Sequence, residues 1–299
     1  MVITKPKILI ILGPTASGKS DLAVRIAKLY NGEIISADSR QVFTGLDIGT
    51  GKITEKEMRG IPHHLLDVVN AKKRFNVSEY KILAEESVDQ ILAKRKLPII
   101  CGGTGFYISA VVDNLILPDV PPNLKLRKQL EKKSVEELVA ILKKLDTKKL
   151  ESIDQKNPRR LIRAIEITKA LGNVPKIDSK PKYNVLQIGT KISDKELRNR
   201  ITKRLYSRIK IGMIEEAKNL HKSGLSWKRM NELGLEYRYL ALYLQNKITK
   251  EEMAEQLINK IWQYSRRQIT WFKRDKRIKW LSPENLKRID SKIKKFLSK

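Results

Sequence analysis

Eight residues near the start of the chain, Gly13-Pro14-Thr15-Ala16-Ser17-Gly18-Lys19-Ser20, leave it little choice of fold. They follow a continuous apolar, β-branched run, Ile8 to Leu12, of the kind that forms a parallel strand covered on both faces. They precede a helical pattern with Leu22, Ala23, Ile26 and Ala27 on one face, closed by Asn31-Gly32. Strand, G-x-x-x-x-G-K-[ST] and helix together make a phosphate-binding loop. The glycines let backbone amides curl around phosphate oxygens, and the helix N-terminus adds partial positive charge. Lys19 supplies a full charge, and the Ser20 hydroxyl suits a Mg²⁺ ligand. Such a loop calls for a diphosphate or triphosphate without saying which, and it does not require that ATP be hydrolysed.

The same alternation continues. A second short strand, Ile34 to Ser36, runs into Ala37-Asp38-Ser39; a helical stretch follows around Ser78 to Lys94; a third apolar run, Pro98 to Cys101, ends in Gly102-Gly103-Thr104-Gly105. Strands alternating with helices predict an α/β fold, a doubly wound parallel sheet with a P-loop. Its ligands belong outside the carboxyl ends of the strands. Three loops therefore converge on one pocket. Residues 118–157 are Lys-rich and helical, with a capping box at Ser134 to Glu137, and read as a small helical insertion. The expected division is 1–117 for the first part of the core, 118–157 for the insertion, and 158–299 for the rest of the core and a basic helical C-terminal region. Asn157-Pro158 opens a helix that Gly172 ends, and capping boxes recur at Ser193 to Glu196 and Thr249 to Glu252.

Charge points to the partner. Sixty-two Lys and Arg against 33 Asp and Glu leave a formal charge of +29, a field that concentrates polyanions. Between Lys195 and Lys299 the balance is 28 basic to 11 acidic residues, whereas Met1 to Thr50 has 6 to 4. The polyanion surface therefore belongs mostly to the second half. A lone Cys101 excludes an internal disulfide and a cysteine-rich metal site, which suits a reducing cytoplasm. No run approaches the roughly 20 apolar residues of a membrane span, so no membrane partner is expected.

Several side chains carry candidate chemistry. Asp38, facing the phosphate pocket, can hold Mg²⁺ through water, accept a substrate proton, or simply cap the next turn. Thr104 can donate its hydroxyl to a substrate or bridging oxygen. His63 and His64 are adjacent, point apart, and lack a ligand partner at metal spacing, which favours structural hydrogen bonding. Cys101 reads as packing rather than a nucleophile. Arg159, Arg160 and Arg163 can share one helix face and grip phosphates, or be a solvated surface. Arg266, Arg267, Trp271, Phe272, Lys273 and Arg274 interleave cations with aromatics, as a clamp for single-stranded bases does, although Trp271 can equally be core.

At these residues the sequence resembles the tRNA dimethylallyltransferases. The resemblance rests on Gly13 to Ser20, Ala37 to Phe43, Leu46-Asp47-Ile48-Gly49-Thr50, Ile61-Pro62-His63-His64-Leu65-Leu66-Asp67, Gly102 to Tyr107 and Arg267-Gln268-Ile269-Thr270-Trp271-Phe272. It implies transfer of a dimethylallyl group from dimethylallyl diphosphate to the N6 amine of the adenosine 3′-adjacent to the anticodon. The phosphate loop (Gly13, Pro14, Thr15, Ala16, Ser17, Gly18, Lys19, Ser20) would cradle the donor's diphosphate with Mg²⁺. Asp38 would be the general base and Thr104 would assist transfer. Asp38, Ser39, Arg40 and Gln41, with Arg159, Arg160, Leu161, Ile162 and Arg163, match the family's tRNA-contacting segments. The chain would act as a cytoplasmic monomer on tRNA. Lys218 stands where many members carry an arginine near the diphosphate, and Leu233 to Leu240 is about two residues longer than the common form. Two rivals remain: a P-loop nucleoside or nucleotide kinase, which leaves the basic second half and Ile61 to Asp67 unexplained, and an RNA-binding module without chemistry, which leaves Asp38 and Thr104 without a task.

Overall fold

The computed structural model describes residues 5–298; the first four residues and the last, which belong to the outer spans drawn above, lie outside the described residues. The chain divides into two units, Met1–Asn114 with Pro181–Lys299, and Leu115–Lys180. The first unit lays down β1 (Lys7–Leu12), α1 (Lys19–Leu29), β2 (Gly32–Ala37), β3 (Phe43–Thr44), α2 (Glu55–Met58), β4 (His63–His64), β5 (Val69–Asn70), α3 (Val77–Ala93), β6 (Leu97–Gly102) and α4 (Gly105–Val112). The second holds α5 (Leu124–Leu130), α6 (Val135–Leu145), α7 (Thr147–Ser152) and α8 (Pro158–Leu171). The first then resumes with β7 (Asn184–Thr190), α9 (Asp194–Lys210), α10 (Met213–Lys222), α11 (Trp227–Leu233), α12 (Leu235–Leu244), α13 (Lys250–Phe272), β8 (Lys279–Leu281) and α14 (Leu286–Leu297).

Six strands form one sheet in the order β4-β2-β6-β1-β7-β8, and every neighbouring pair is parallel. The doubly wound sheet is therefore as expected. Side chains alternate across β1: Ile8, Ile10 and Leu12 join Tyr80, Val88, Tyr107 and Val111 on one face, while Leu9 and Ile11 join Leu22, Ala23, Ile26, Ile289 and Ile293 on the other. Both faces are covered by helices, which is why these strands read as unbroken apolar runs. The segment after Gly172, taken from the sequence as mostly helix, adds β7 and β8. Gln187 and Gly189 interrupt the apolar run in β7, so its periodicity hides the strand. Helices α9, α10, α12 and α13 build a further core from Leu197, Ile201, Leu205, Met213, Tyr237, Leu257 and Ile261. No helix among the described residues is long and apolar enough to cross a membrane.

The helical unit is larger than the 118–157 insertion expected. Leu161, Ala164 and Ile165 of α8 pack with Leu130, Leu138, Leu142 and Leu150 of α5 to α7, so the apolar face of α8 belongs to this small core and not to the sheet. Its two ends meet: Leu115 forms an antiparallel bridge with Ser179, and Ile116 N–H donates to Asp178 O at 3.0 Å. Full capping boxes form at Ser134 and Thr249 as expected, and the Asn157 side chain accepts from Arg160 N–H; at Ser193 only half of the expected box forms, the hydroxyl accepting from Glu196 N–H.

At the amino end of the sheet Glu33 is buried, its carboxylate receiving hydrogen bonds from Lys96 (2.9 Å) and Lys94 (3.2 Å) and lying 2.8 Å from His64 Nε2. This is the task of the second histidine; His63 Nδ1 sits 2.8 Å from Ile61 O. Burial alone would raise the Glu33 pKa, but its donors outweigh it and hold the carboxyl at about 2, below its ordinary 4.5. A depressed carboxyl stabilises the fold fully above pH 4.5 and loses that contribution as pH falls toward 2. Glu33→Gln is expected to cost about 1–3 kcal/mol at pH 7. It should also flatten the loss of thermal stability between pH 4.5 and 2, measured by melts across that range.

Candidate active site

Four strands deliver the site. β1 ends in the phosphate loop, β2 in Asp38, β6 in Gly103-Thr104, and β7 in Thr190, all at the carboxyl edge of the sheet. Gly18 caps α1 with φ 85°, a left-handed conformation that glycine adopts without strain. The loop borders a cleft of about 320 Å³ lined by residues 16–21 together with Gly51, Ile53, Glu57, Arg59 and Arg204. Within the loop the side chains divide. Lys19 and Ser20 face the cleft, whereas the Ser17 side chain is buried and its hydroxyl accepts from Thr190 Oγ1 at 2.7 Å. Burial lowers the Lys19 pKa, while Cys101 and Asp38 pull it upward. Lys19 Nζ meanwhile donates to Pro14 O at 3.3 Å.

Asp38 and Thr104 are held together by backbone. Thr104 N–H donates to Ala37 O (3.0 Å), and Ser39 N–H donates to Thr104 Oγ1 (3.0 Å). Asp38 Oδ1 accepts from Arg40 N–H (2.8 Å) and Gln41 N–H (3.4 Å), so it does cap the following turn; Oδ2 has no hydrogen-bond partner among the described residues. Tyr264 of α13 adds a phenol beside them. Burial pushes its pKa up to about 12 and Asp38 adds to that, while a hydrogen bond with Thr104 works the other way. Burial likewise pushes the Cys101 thiol up to about 11, and its Sγ donates to Lys19 O, so it packs the strand end rather than offering a thiolate. From α13 the buried Gln268 reaches both loops: its Oε1 accepts from Thr15 N–H (2.9 Å) and its Nε2 donates to Gly103 O (2.8 Å).

The basic wall comes from α9. Leu197, Ile201 and Leu205 turn into the core, leaving Arg200, Arg204 and Arg208 on a second stripe at four-residue spacing. Arg200 pairs with Glu196 and Glu284, and Arg208 with Glu236 and Gly49 O. Arg204 alone of the three has no hydrogen bond among the described residues; burial lowers its pKa and Arg208 lowers it further.

The sequence model of the IPP transferase family matches residues 41–275. The tRNA dimethylallyltransferase 1 of Syntrophus aciditrophicus is 42% identical over 296 residues, 96% of this chain and 97% of that protein. The crystal structure of the tRNA isopentenylpyrophosphate transferase of Bacillus halodurans superposes with a TM-score of 0.75 at 34% identity, covering 99% of this chain and 97% of that one. The chain belongs to the tRNA dimethylallyltransferase family. A eukaryotic dimethylallyltransferase acting on tRNA shares the fold, with a TM-score of 0.81 at 23% identity over 95% of this chain and 76% of that one.

Much of what makes the tRNA dimethylallyltransferase sequence distinctive turns out to be scaffolding. The Glu216 carboxylate of α10 accepts from three consecutive amides, Asp47 (3.0 Å), Ile48 (2.6 Å) and Gly49 (2.9 Å), and from Tyr237 OH (2.7 Å). The buried Lys52 ammonium bonds Asp47 and Asp67, each at 2.5 Å, and Phe43 O at 3.0 Å. The Asp-Ile-Gly-Thr patch is thus tied to Asp67, the last residue of the Ile-Pro-His-His-Leu-Leu-Asp patch, whose two histidines form the edge strand β4. The longer Leu233 to Leu240 stretch turns at Gly234, φ 74°, and supplies Glu236 to Arg208 and Tyr237 to Glu216.

Two readings need correction. Lys218 does not line the phosphate cleft; on α10 it pairs with Glu215 at 3.7 Å, and the arginines on the cleft are Arg59 and Arg204. Leu161 and Ile162 cannot be tRNA contacts through their side chains, because both are buried in the helical unit. On the same helix Arg163 bonds the buried Glu166 (2.5 Å), which also holds Arg127, while Arg160 meets Asp154 at 3.5 Å. Gln41 spends its side chain on Gly51 O, and Arg266 pairs with Asp194. Trp271 packs on the glycine loop, where a Cβ on Gly105 would lie 2.2 Å from its ring. Arg204→Ala should weaken binding of inorganic diphosphate by roughly 10–100-fold, the scale of one charge-assisted hydrogen bond. Titration calorimetry checks this, and the melting temperature should not fall.

Proposed function

We propose that this protein transfers a dimethylallyl group from dimethylallyl diphosphate to the N6 amine of the adenosine 3′-adjacent to the tRNA anticodon, releasing diphosphate. The observation that carries the reading is the meeting of a phosphate loop, the half-engaged carboxylate of Asp38 and the Thr104 hydroxyl at one sheet edge. The donor's diphosphate lies along Gly13 to Ser20, with Lys19 and Arg204 meeting its charge. Adenosine enters flipped out of its stack, since the amine of a stacked base is out of reach. The N6 lone pair forms a bond to C1 of the prenyl group as the C1–O bond to diphosphate breaks. Asp38 takes the N6 proton, and Thr104 donates its hydroxyl toward the oxygen that leaves.

Ser20 stands exposed on the cleft wall, and among the described residues no group of three His, Cys, Asp or Glu could chelate a metal alone. The Ser20 hydroxyl fits as one oxygen ligand of a hard cation such as Mg²⁺, which would need further oxygen ligands from outside the protein. Such a cation would lessen the charge on the departing diphosphate. Asp38 to Gln41, and on the helical unit Arg159, Arg160 and Arg163, are the proposed tRNA surfaces, reached in the cytoplasm by a monomer.

Incubation with dimethylallyl diphosphate or ATP and an unmodified tRNA bearing that adenosine tests the reading by mass spectrometry. A gain of one prenyl group supports it; phosphorylated product supports a kinase, and binding without reaction supports an RNA-binding module. In single-turnover experiments Asp38→Asn should slow transfer by about 10²–10⁴, the usual worth of a general base, with both substrates bound nearly as tightly as before. A variant within a few-fold of the parent removes Asp38 from that role.

A further inference from the structure

The buried carboxamide of Gln268 bonds to two of the site's loops at once. Its Oε1 receives the Thr15 amide of the phosphate loop, and its Nε2 gives a proton to Gly103 O, one residue before Thr104. Both partners are backbone groups of fixed polarity, an N–H and a C=O, so the amide has one orientation. The link continues, because Thr104 Oγ1 holds Ser39 N–H and Thr104 N–H holds Ala37 O, on either side of Asp38. The side chain packs closely on the glycine: a Cβ on Gly103 would lie 2.3 Å from Gln268 Nε2. The residue sits on α13 between Ser265 and Phe272, both buried, on a helix of 23 residues that is itself anchored by Leu257 and Ile261 in the helical core.

We infer that Gln268 is a positioning residue: it fixes the distance between the loop that holds the departing diphosphate and the loops that carry Thr104 and Asp38. The inference rests on the prenyl-transfer reading above. Gln268 touches neither substrate in this account. It sets how closely donor and acceptor groups face each other, and a misplacement of about 1 Å in such a geometry can cost on the order of 10²-fold in rate. Because the phosphate loop keeps its own amides and Lys19, and α9 keeps Arg204 beside it, binding of the donor should survive the loss.

Two variants test this. Gln268→Met keeps length and bulk but removes both hydrogen bonds; Gln268→Glu keeps the acceptor for Thr15 N–H and sets a second carboxylate oxygen against Gly103 O. In the Glu variant only the protonated acid can donate to that carbonyl. Single-turnover transfer, dissociation constants for dimethylallyl diphosphate and tRNA, and melting temperature are measured for each. Expected for Gln268→Met is a rate loss on the order of 10²-fold with dissociation constants within about threefold. For Gln268→Glu, the rate relative to the parent at the same pH should climb as pH is lowered. Rates within threefold of the parent in both variants, or rate loss matched by an equal loss of donor affinity, overturn the inference. So does a Glu variant whose relative rate is flat with pH. If Gln268→Met does not fold, the pH series of the Glu variant decides. Parent protein that transfers nothing overturns the prenyl-transfer reading and this inference with it. Parent activity with unaffected variants overturns this inference alone.

Discussion

The site is referred to one strand. From Leu9 to Leu12, β1 is paired on both sides, to Ile99–Gly102 of β6 and to Leu186–Gly189 of β7, and both of its faces are packed. A strand held that way cannot slide or twist alone, because any shift breaks ladder bonds on two sides and opens two apolar layers. The phosphate loop inherits this rigidity at its first residue. Thr190, at the end of β7, extends it into the loop by bonding Ser17 and Leu12 O. Asp38 and Thr104 are positioned relative to that anchored edge.

Around the edge, the protein uses charge to hold backbone as well as to meet ligand. Glu216 gathers three successive amides, much as an anion sits on a helix end, and Lys52 joins two carboxylates and a carbonyl in a buried spot. Arg208 ties Glu236 to Gly49 O. These groups pair with one another, Arg208 Nε excepted, so little of their charge is available outside. Arg204, placed among them, borders the cleft and makes no hydrogen bond or ion pair among the described residues. In a chain this basic the informative cation is the uncommitted one.

The fold was legible because its strongest signals are local. Ile8 to Leu12, the phosphate loop and the amphipathic α1 each announce themselves within a few residues, and the sheet order follows from parallel strands that need crossovers. Asp38 and Thr104 were legible as the small or acidic residues that end strands. What stayed hidden depends on contacts between distant segments. β7 carries Gln187 and Gly189, and only the β1 ladder makes it a strand. Arg204 is one of many arginines until α9 is docked, although its spacing from Arg200 and Arg208 was a visible hint. Gln268 lies 253 positions from Thr15, a pairing no periodicity reports. Leu161 and Ile162 fall within a segment that matches the family's tRNA contacts, yet both lie on the buried side of α8, which a match to the segment as a whole does not show.

The antiparallel bridge between Leu115 and Ser179 has a bearing on how this architecture can vary. A folded insert whose ends are clasped together asks almost nothing of the chain that hosts it, since the cost of closing a loop depends on its end separation and grows only slowly with length. To the sheet, the passage from α4 to β7 counts as a short connection, whatever number of helices hangs beyond the clasp. The helical unit can therefore lengthen, shrink or change its surface charge while the register of β1 against β6 and β7 stays as it is. Substrate preference, to the extent that it resides on such a unit, is free to drift on a different clock from the chemistry.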